Sequence, residues 1–376
     1  MGPASWNVLI ATARGDVTID RFDCSITTLS SYIGKNGALA ASIPIPNQGI
    51  GDRCQAIAGR AGQLTAYVYY GTDLWWGGLV NSTPVKGGRT GPSMEINAAS
   101  FESYPGRREI RVDSSWNQEQ LEYPRTAWNA IQSTADGNLG VTVPAVAVPS
   151  TIKRAYSALR SDAKTWQALL TDTSKFADGY EWMIDVYDDG TGNRYRELKS
   201  GYPVISRARF DQVFSYPGNI IDYSLDWDAT AGATSFQERG DSVAPPAAGQ
   251  SSQQPLMSTA GAYDATDLLS NGFLRFDATT DRQGVKDQLT LNQFAARDRA
   301  LRAGAVPLLD ISVQLGGFNR SILGSTFQAQ IDDYLFPRGP GGAPGYISRH
   351  RCIGYEVKPY ERGSADEIKL IIEPSA

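Results

Sequence analysis

Leu64-Thr65-Ala66-Tyr67-Val68-Tyr69-Tyr70, Gly71-Thr72-Asp73, Leu74-Trp75-Trp76-Gly77-Gly78-Leu79-Val80 is the stretch on which the fold turns. Apolar, β-branched and aromatic residues flank a three-residue loop that contains Gly, which is the signature of a β-hairpin. Reading outward, 7–110 continues as strand after strand. Arg14-Gly15-Asp16 turns the chain between segments 8–12 and 17–21. The Ile-Pro-Ile-Pro run at 43–46 is extended, because each proline pushes its predecessor into the β region. Residues 93–98 form a further strand, and 99–111 continue it.

The texture changes near 115. Ala127, Trp128 and Ile131 recur at helical spacing over 124–133, with Pro124 at the start, where a missing N–H does no harm. Tyr156, Leu159, Ala163, Trp166 and Leu170 predict a helix over 156–170. Strands over 180–187 and 195–198 follow, joined by Asp188-Asp189-Gly190-Thr191-Gly192-Asn193. A second pair spans 204–214 and 219–227. Residues 239–256, rich in Pro, Ala, Ser and Gln, read as an exposed connection. Leu291, Phe294, Ala295 and Leu301 predict a helix over 290–302, with Thr290 as N-cap. From 308 the chain returns to strands. It ends in a hairpin of 352–359 and 367–372 through the turn at 362–365.

Composition sets limits. The chain has 376 residues, 41% hydrophobic and 20% charged, so it has the apolar content to build a core and is not disordered by composition. Its net charge of -5 argues against non-specific nucleic-acid binding, which needs a basic field. No signal peptide and no run long enough to span a bilayer is read, so a soluble protein is expected. Three cysteines, Cys24, Cys54 and Cys352, with no CxxC pair, predict reduced, mostly buried thiols.

Chemistry finds little purchase. His350 is the single histidine, which excludes a His-rich zinc site. It lies between Arg349 and Arg351 and is expected at a surface or interface. Gly190-Thr191-Gly192 lacks the later glycine of a nucleotide loop and sits between strands. Asp185, Asp189 and Gly190 fit three positions of a calcium loop. Tyr187 and Arg196 occupy two others that need ligands, and the bidentate acid is missing. Paired acids at 188/189, 332/333 and 366/367 read as solvated turns. Arg239-Gly240-Asp241 repeats the tripeptide of 14–16 and is taken as chance. Catalytic, cofactor and metal residues are therefore assigned as none, and no enzyme is expected.

The distinctive residues are those of an interface. Trp75 and Trp76 in one strand would point to opposite faces, one inward and one outward as a docking anchor. Gly77 and Gly78 would admit a neighbouring backbone. In 101–111, Phe101, Tyr104, Arg107 and Arg108 form a second candidate cluster, the two arginines facing opposite sides of a strand.

With these residues stated, a family resemblance can be named. Val68–Val80 resembles the strand–turn–strand hairpin of minor tail proteins in long-tailed phages of actinobacteria, and Phe101-Glu102-Ser103-Tyr104-Pro105-Gly106-Arg107-Arg108-Glu109-Ile110 resembles the element that follows it there. Residues 179–186 and 214–221 are similar to the family's middle section. The matches touch about 5 to 230, and the last third is similar only in outline.

The resemblance implies a mainly β fold with α+β insertions: two β-barrel-like domains of the phage tail-tube and hub type plus smaller α/β domains. On that basis 1–112 is one barrel-like domain, which 203–238 would complete. Residues 113–202 are a helix-containing α/β insertion, 239–260 a linker, and 261–376 a second β-rich domain with its helix near 290–302. The implied function is structural. A homotrimeric baseplate hub would cap the tail tube of a siphovirus and adapt a sixfold tube to a threefold tip. Implied partners are the distal tail protein, the tail tube, the tape measure protein and other tail-tip or fibre proteins, with phage DNA passing through without sequence-specific binding. The implied location is the virion tail tip, assembled in the cytoplasm of the host bacterium. Alternatives are a hexameric distal tail ring, a host-glycan receptor-binding tail module, and a cell-wall hydrolase using paired acids.

Overall fold

The computed structural model describes residues 5–89, 91–146, 151–175, 179–205, 212–243, 254–282, 285, 287–358 and 366–373. Most of the expected connection at 239–256, the middle of the strand read at 204–214 and the turn at 362–365 lie outside the described residues. The fold is mainly β with a few short helices. The chain divides into two compact units: Met1–Ile221 with Ser312–Ile371, and Asp222–Ile311 with Ile372–Ala376.

The first unit is built on a large sheet. Its strands run in the order Glu367–Ile372, Tyr346–Lys358, Ser25–Tyr32, Ala38–Pro44, Ser93–Ser100, Asp73–Ser82, Leu64–Tyr70, Trp6–Thr12 and Thr18–Asp23. The pairs whose registers are fixed along this path are antiparallel. Thr326–Ile331 pairs with the first half of Tyr346–Lys358, and Gln212–Tyr216 adds a parallel strand beyond it. Among the described residues the hydrogen-bonded path stays open, so no barrel closes.

Sequence drives the central hairpin as expected. Every residue of Trp6–Ala11 and Leu64–Tyr69 is buried. Such strands read as continuous apolar runs because both of their faces are covered. One face packs on a layer formed by the helices Glu122–Ile131 and Trp166–Ser174 and the hairpin Glu181–Asp188/Arg194–Gly201. Ala127, Trp128 and Ile131, whose spacing signals the first of these helices, are fully buried in that layer.

Three local expectations fail for physical reasons. Residues 156–158 belong to a strand, Lys153–Ala158, which pairs with Ser114–Glu119. Tyr156 lies opposite Trp116, their rings 6.3 Å apart, and this cross-strand pair wins over helical spacing. The helix starts only at Trp166, where the Thr165 side chain accepts the Ala168 N–H. Residues 101–107 are a 3-10 helix and not strand, with Pro105 inside it. A short helix, Gln48–Gln55, interrupts the strand series. Asn47 caps it by accepting from the Ile50 N–H.

The second unit holds a three-stranded sheet. Ser235–Val243 lies between antiparallel Gln254–Met257 and parallel Asp277–Asp281. The helix Gln288–Arg302 packs on it through Leu291, Phe294 and Ala295, three of the apolar positions expected from periodicity. Its cap is Asp287, not Thr290: the Asp287 carboxylate accepts both the Thr290 N–H and its hydroxyl. Gly240 is forced by this packing, since a Cβ there would sit 2.4 Å from the Val285 carbonyl. Arg239 pairs with Asp281, so Arg239-Gly240-Asp241 is a sheet segment.

Candidate functional site

The Trp-Trp-Gly-Gly strand is interrupted by a bulge. Val68 pairs with Trp76 and Tyr69 with Leu74, which leaves Trp75 as the extra residue. The expected alternation is therefore lost. Trp75 packs against Trp6 and Tyr70, on the hairpin face that also carries Trp76, and meets Phe318 and Tyr355 at 5.7 and 6.2 Å. Trp76 donates its indole N–H to the Ser30 carbonyl at 3.0 Å. Both indoles are buried, at 8% and 3% exposure, so neither is an outward anchor. This corrects the expectation of one inward and one outward Trp.

The glycines serve packing inside the chain. A Cβ on Gly78 would meet the Ala99 carbonyl oxygen at 2.2 Å and the Trp76 ring at 2.4 Å. A Cβ on Gly77 would press on Tyr67, Val186 and Phe101 at 3.0–3.1 Å. What approaches closely is this chain's own backbone and aromatic rings.

Behind that face is a charged network that the sequence analysis missed. Asp16 receives hydrogen bonds from Tyr67 at 2.7 Å, Arg194 at 3.0 Å and Arg196 at 2.5 Å. Both guanidiniums are nearly buried and lie over aromatic rings: Arg194 over Tyr67, and Arg196 over Phe101. The network ties the first turn of the chain to the Glu181–Asp188/Arg194–Gly201 hairpin. Only the topology brings residues 16, 67 and 196 together. The turn of that hairpin is held by Asp189, which bonds Thr191, Asn193 and Tyr195. The Asn193 and Thr191 donors hold its carboxyl well below the usual range. These contacts engage the Asp189 carboxylate in the turn of the hairpin.

Glu102 is the buried acid of the Phe101–Arg107 turn. It accepts the Ile184 N–H at 2.7 Å, and burial pushes its carboxyl up. Phe101 beside it is fully buried. Tyr104 and Arg107 are placed differently. With Leu79, Leu139, Arg14 and Arg60 they line an open recess of about 400 Å³. The exposed Arg107 reaches Asn81 at 2.6 Å. The Arg108 carbonyl accepts the Trp166 N–H, and its guanidinium lies beside Gly137. Of the eight residues singled out from sequence, the structure joins five (Trp75, Trp76, Gly77, Gly78 and Phe101) in the interior and leaves Tyr104 and Arg107 at an open recess.

His350 is buried and not at a surface. It sits against Phe327 on a strand whose alternation turns Arg349 and Arg351 away. Among the described residues neither ring nitrogen has a hydrogen-bond partner, and burial lowers its pKa. Arg351 instead pairs with Glu181, which accepts a hydrogen bond at 2.8 Å. Cys54 and Cys352 are buried and Cys24 half-buried, all three as free thiols. Among the described residues no group of three His, Cys, Asp or Glu is arranged to hold a metal ion, and no helix is long and apolar enough to cross a membrane.

No protein-family model matches the chain, and neither does any curated protein. Solved structures do. The chain is similar to a tail protein from Neisseria meningitidis, with a TM-score of 0.57 at 11% identity over 98% of this chain and 96% of that one. It is similar to the 43 kDa tail protein of prophage MuSo2 from Shewanella oneidensis, with a TM-score of 0.56 at 9% identity over 97% and 98%. A prophage tail protein from Listeria monocytogenes gives 0.52 at 14% identity over 97% and 94%. The fold is that of these tail proteins.

Proposed function

We propose that this chain is a structural protein of a phage tail tip, a baseplate hub that assembles as a homotrimer beneath the tail tube. One observation carries the reading. The likeness to two tail proteins runs through nearly the whole of this chain and nearly the whole of theirs, so it is the complete architecture that is shared. The interior supports a structural role. Trp75, Trp76, Gly77, Gly78 and Phe101 pack in the interior, and among the described residues neither ring nitrogen of the buried His350 has a hydrogen-bond partner. The hub would adapt a sixfold tube to a threefold tip and contact the distal tail protein, the tube, the tape measure protein and tip fibres. DNA would pass without sequence-specific contacts. The siphovirus character and the actinobacterial origin rest on the resemblance of 68–80 and 101–110.

Mass photometry of the purified chain and subunit counting in tails test this reading. Three copies are expected. Six copies would replace the hub by a distal ring, and a chain that stays monomeric in tails and in solution would overturn both.

A further inference from the structure

The recess beside Tyr104 and Arg107 has a counterpart elsewhere on the same unit. The loop joining Thr326–Ile331 to Tyr346–Lys358 holds Tyr334 and Leu335 out in water, at 106% and 71% exposure. The loop is internally braced. Asp333 accepts the Leu335 and Phe336 N–H groups at 2.8 Å, and Asp332 accepts the Gly345 N–H at 2.8 Å. Arg338 pairs with Asp332 at 3.1 Å, and Phe336 packs on Tyr346. Two adjacent apolar side chains are thus presented by a pre-organised turn, which lowers the ordering cost of binding.

We propose that this Tyr334–Leu335 turn docks into the Tyr104–Arg107 recess of a second copy of the chain. The recess has a buried apolar floor in Leu79 and Leu139 and a rim on which Arg14, Arg60 and Arg107 outnumber the one acid, Asp136. Among the described residues none of these three arginines has a carboxylate within salt-bridge distance. Their nearest oxygen partners are the Asp136 carbonyl, the Ala56 carbonyl and the Asn81 side chain. The turn is net acidic, Asp332 and Asp333 against Arg338, and it brings a phenol hydroxyl and two side chains that suit the floor.

Self-docking within one chain is ruled out by the register. Leu79 pairs with Ala99, which pairs with Ala38, so the recess begins in the row of Ala38, and Tyr32 pairs with Gly354. The turn precedes Tyr346, which lies beyond Gly354 along its strand, on the side of that row opposite to Leu64 and Thr12. Along the sheet, Tyr346–Lys358 is four strand steps from the strand of Leu79 and six from that of Thr12, about 19 Å and 29 Å at ~4.8 Å per step. A contact between two different patches of the same chain is heterologous and closes into a ring when its rotation allows.

This inference rests on the self-assembly proposed above, and the experiment separates the two. A photo-crosslinking phenylalanine analogue is placed at 334 in the full chain, and cross-linked peptides are mapped. Linkage to a second copy near 60–63, 104–107 or 136–139 is expected. The double variant Tyr334→Ser/Leu335→Ser should melt like the parent but need about thirtyfold more protein to assemble, the loss typical of an interface hot spot. Arg107→Glu should act in the same direction. If the parent assembles and these variants assemble equally well, or the cross-link lands elsewhere or on another tail protein, the docking is wrong and the ring stands. If the parent never assembles, both fall.

Discussion

Trp75 and Trp76 differ by one position, and a regular strand would separate their faces. The bulge removes that separation, and both indoles fill the interior. Trp75→Ala and Trp76→Ala should therefore each cost about 3–5 kcal/mol of stability, the usual loss for a large core truncation. Chemical denaturation of each variant checks this; one of the pair melting like the parent would restore an outward role. Glu102 makes a second prediction at this scale. Burial raises its folded pKa above the ordinary carboxyl value of 4.5. Its contribution to stability is then fully present below 4.5 and is lost as pH rises through the folded value. Glu102→Gln keeps an oxygen for the Ile184 N–H and removes the titration. The variant should show a flatter melting temperature between pH 4.5 and neutrality than the parent, and an unchanged slope would show that Glu102 is not the titrating group.

At the scale of elements, stops and starts are set by single side chains. The helix Gln288–Arg302 begins where Asp287 accepts from Thr290. Asp287→Ala should cost about 1 kcal/mol, as for other N-caps. Thr290→Ala should cost less, because the backbone N–H of residue 290 keeps its acceptor. Thermal melts of the two variants rank them, and the reverse order would return the cap to Thr290. The same logic explains the strand at 153–158. Tyr156 gains Trp116 across the ladder, and Trp116 in turn meets Trp166 at 5.9 Å. That aromatic trio depends on a strand in the middle of what reads locally as helix.

At the scale of the whole molecule, two units share one chain. The second relies on an ion network: Arg282 bonds Glu238 at 2.6 Å and Asp298 at 3.2 Å, and stacks over Phe294. Glu238 is 1% exposed at its side chain, so removing Arg282 leaves an unpaired buried acid. Arg282→Ala should lower the stability of this unit by about 3 kcal/mol, the loss seen when one partner of a buried pair is removed. Calorimetry should show the change in one transition and not in that of the first unit. A uniform shift of the whole melt would mean that the units unfold together.

The mainly β class, the central hairpin and the buried faces of the helices at 122–131 and 288–302 follow from sequence alone. Periodicity and turn residues are local, and burial then acts on them as the pattern demands. The resemblance of 68–80 and 101–110 to tail proteins is likewise a property of the string. The tertiary structure decided what those strings are used for. A one-residue bulge redirected Trp75, a cross-strand partner turned 153–158 into strand, and buried alternation took His350 from an expected surface into the core. Asp16, Tyr67, Arg194 and Arg196 form one network although up to 180 positions separate them. Each outcome depends on which distant residue arrives opposite, and the free energy of that encounter exceeds the weak local preference it overrides.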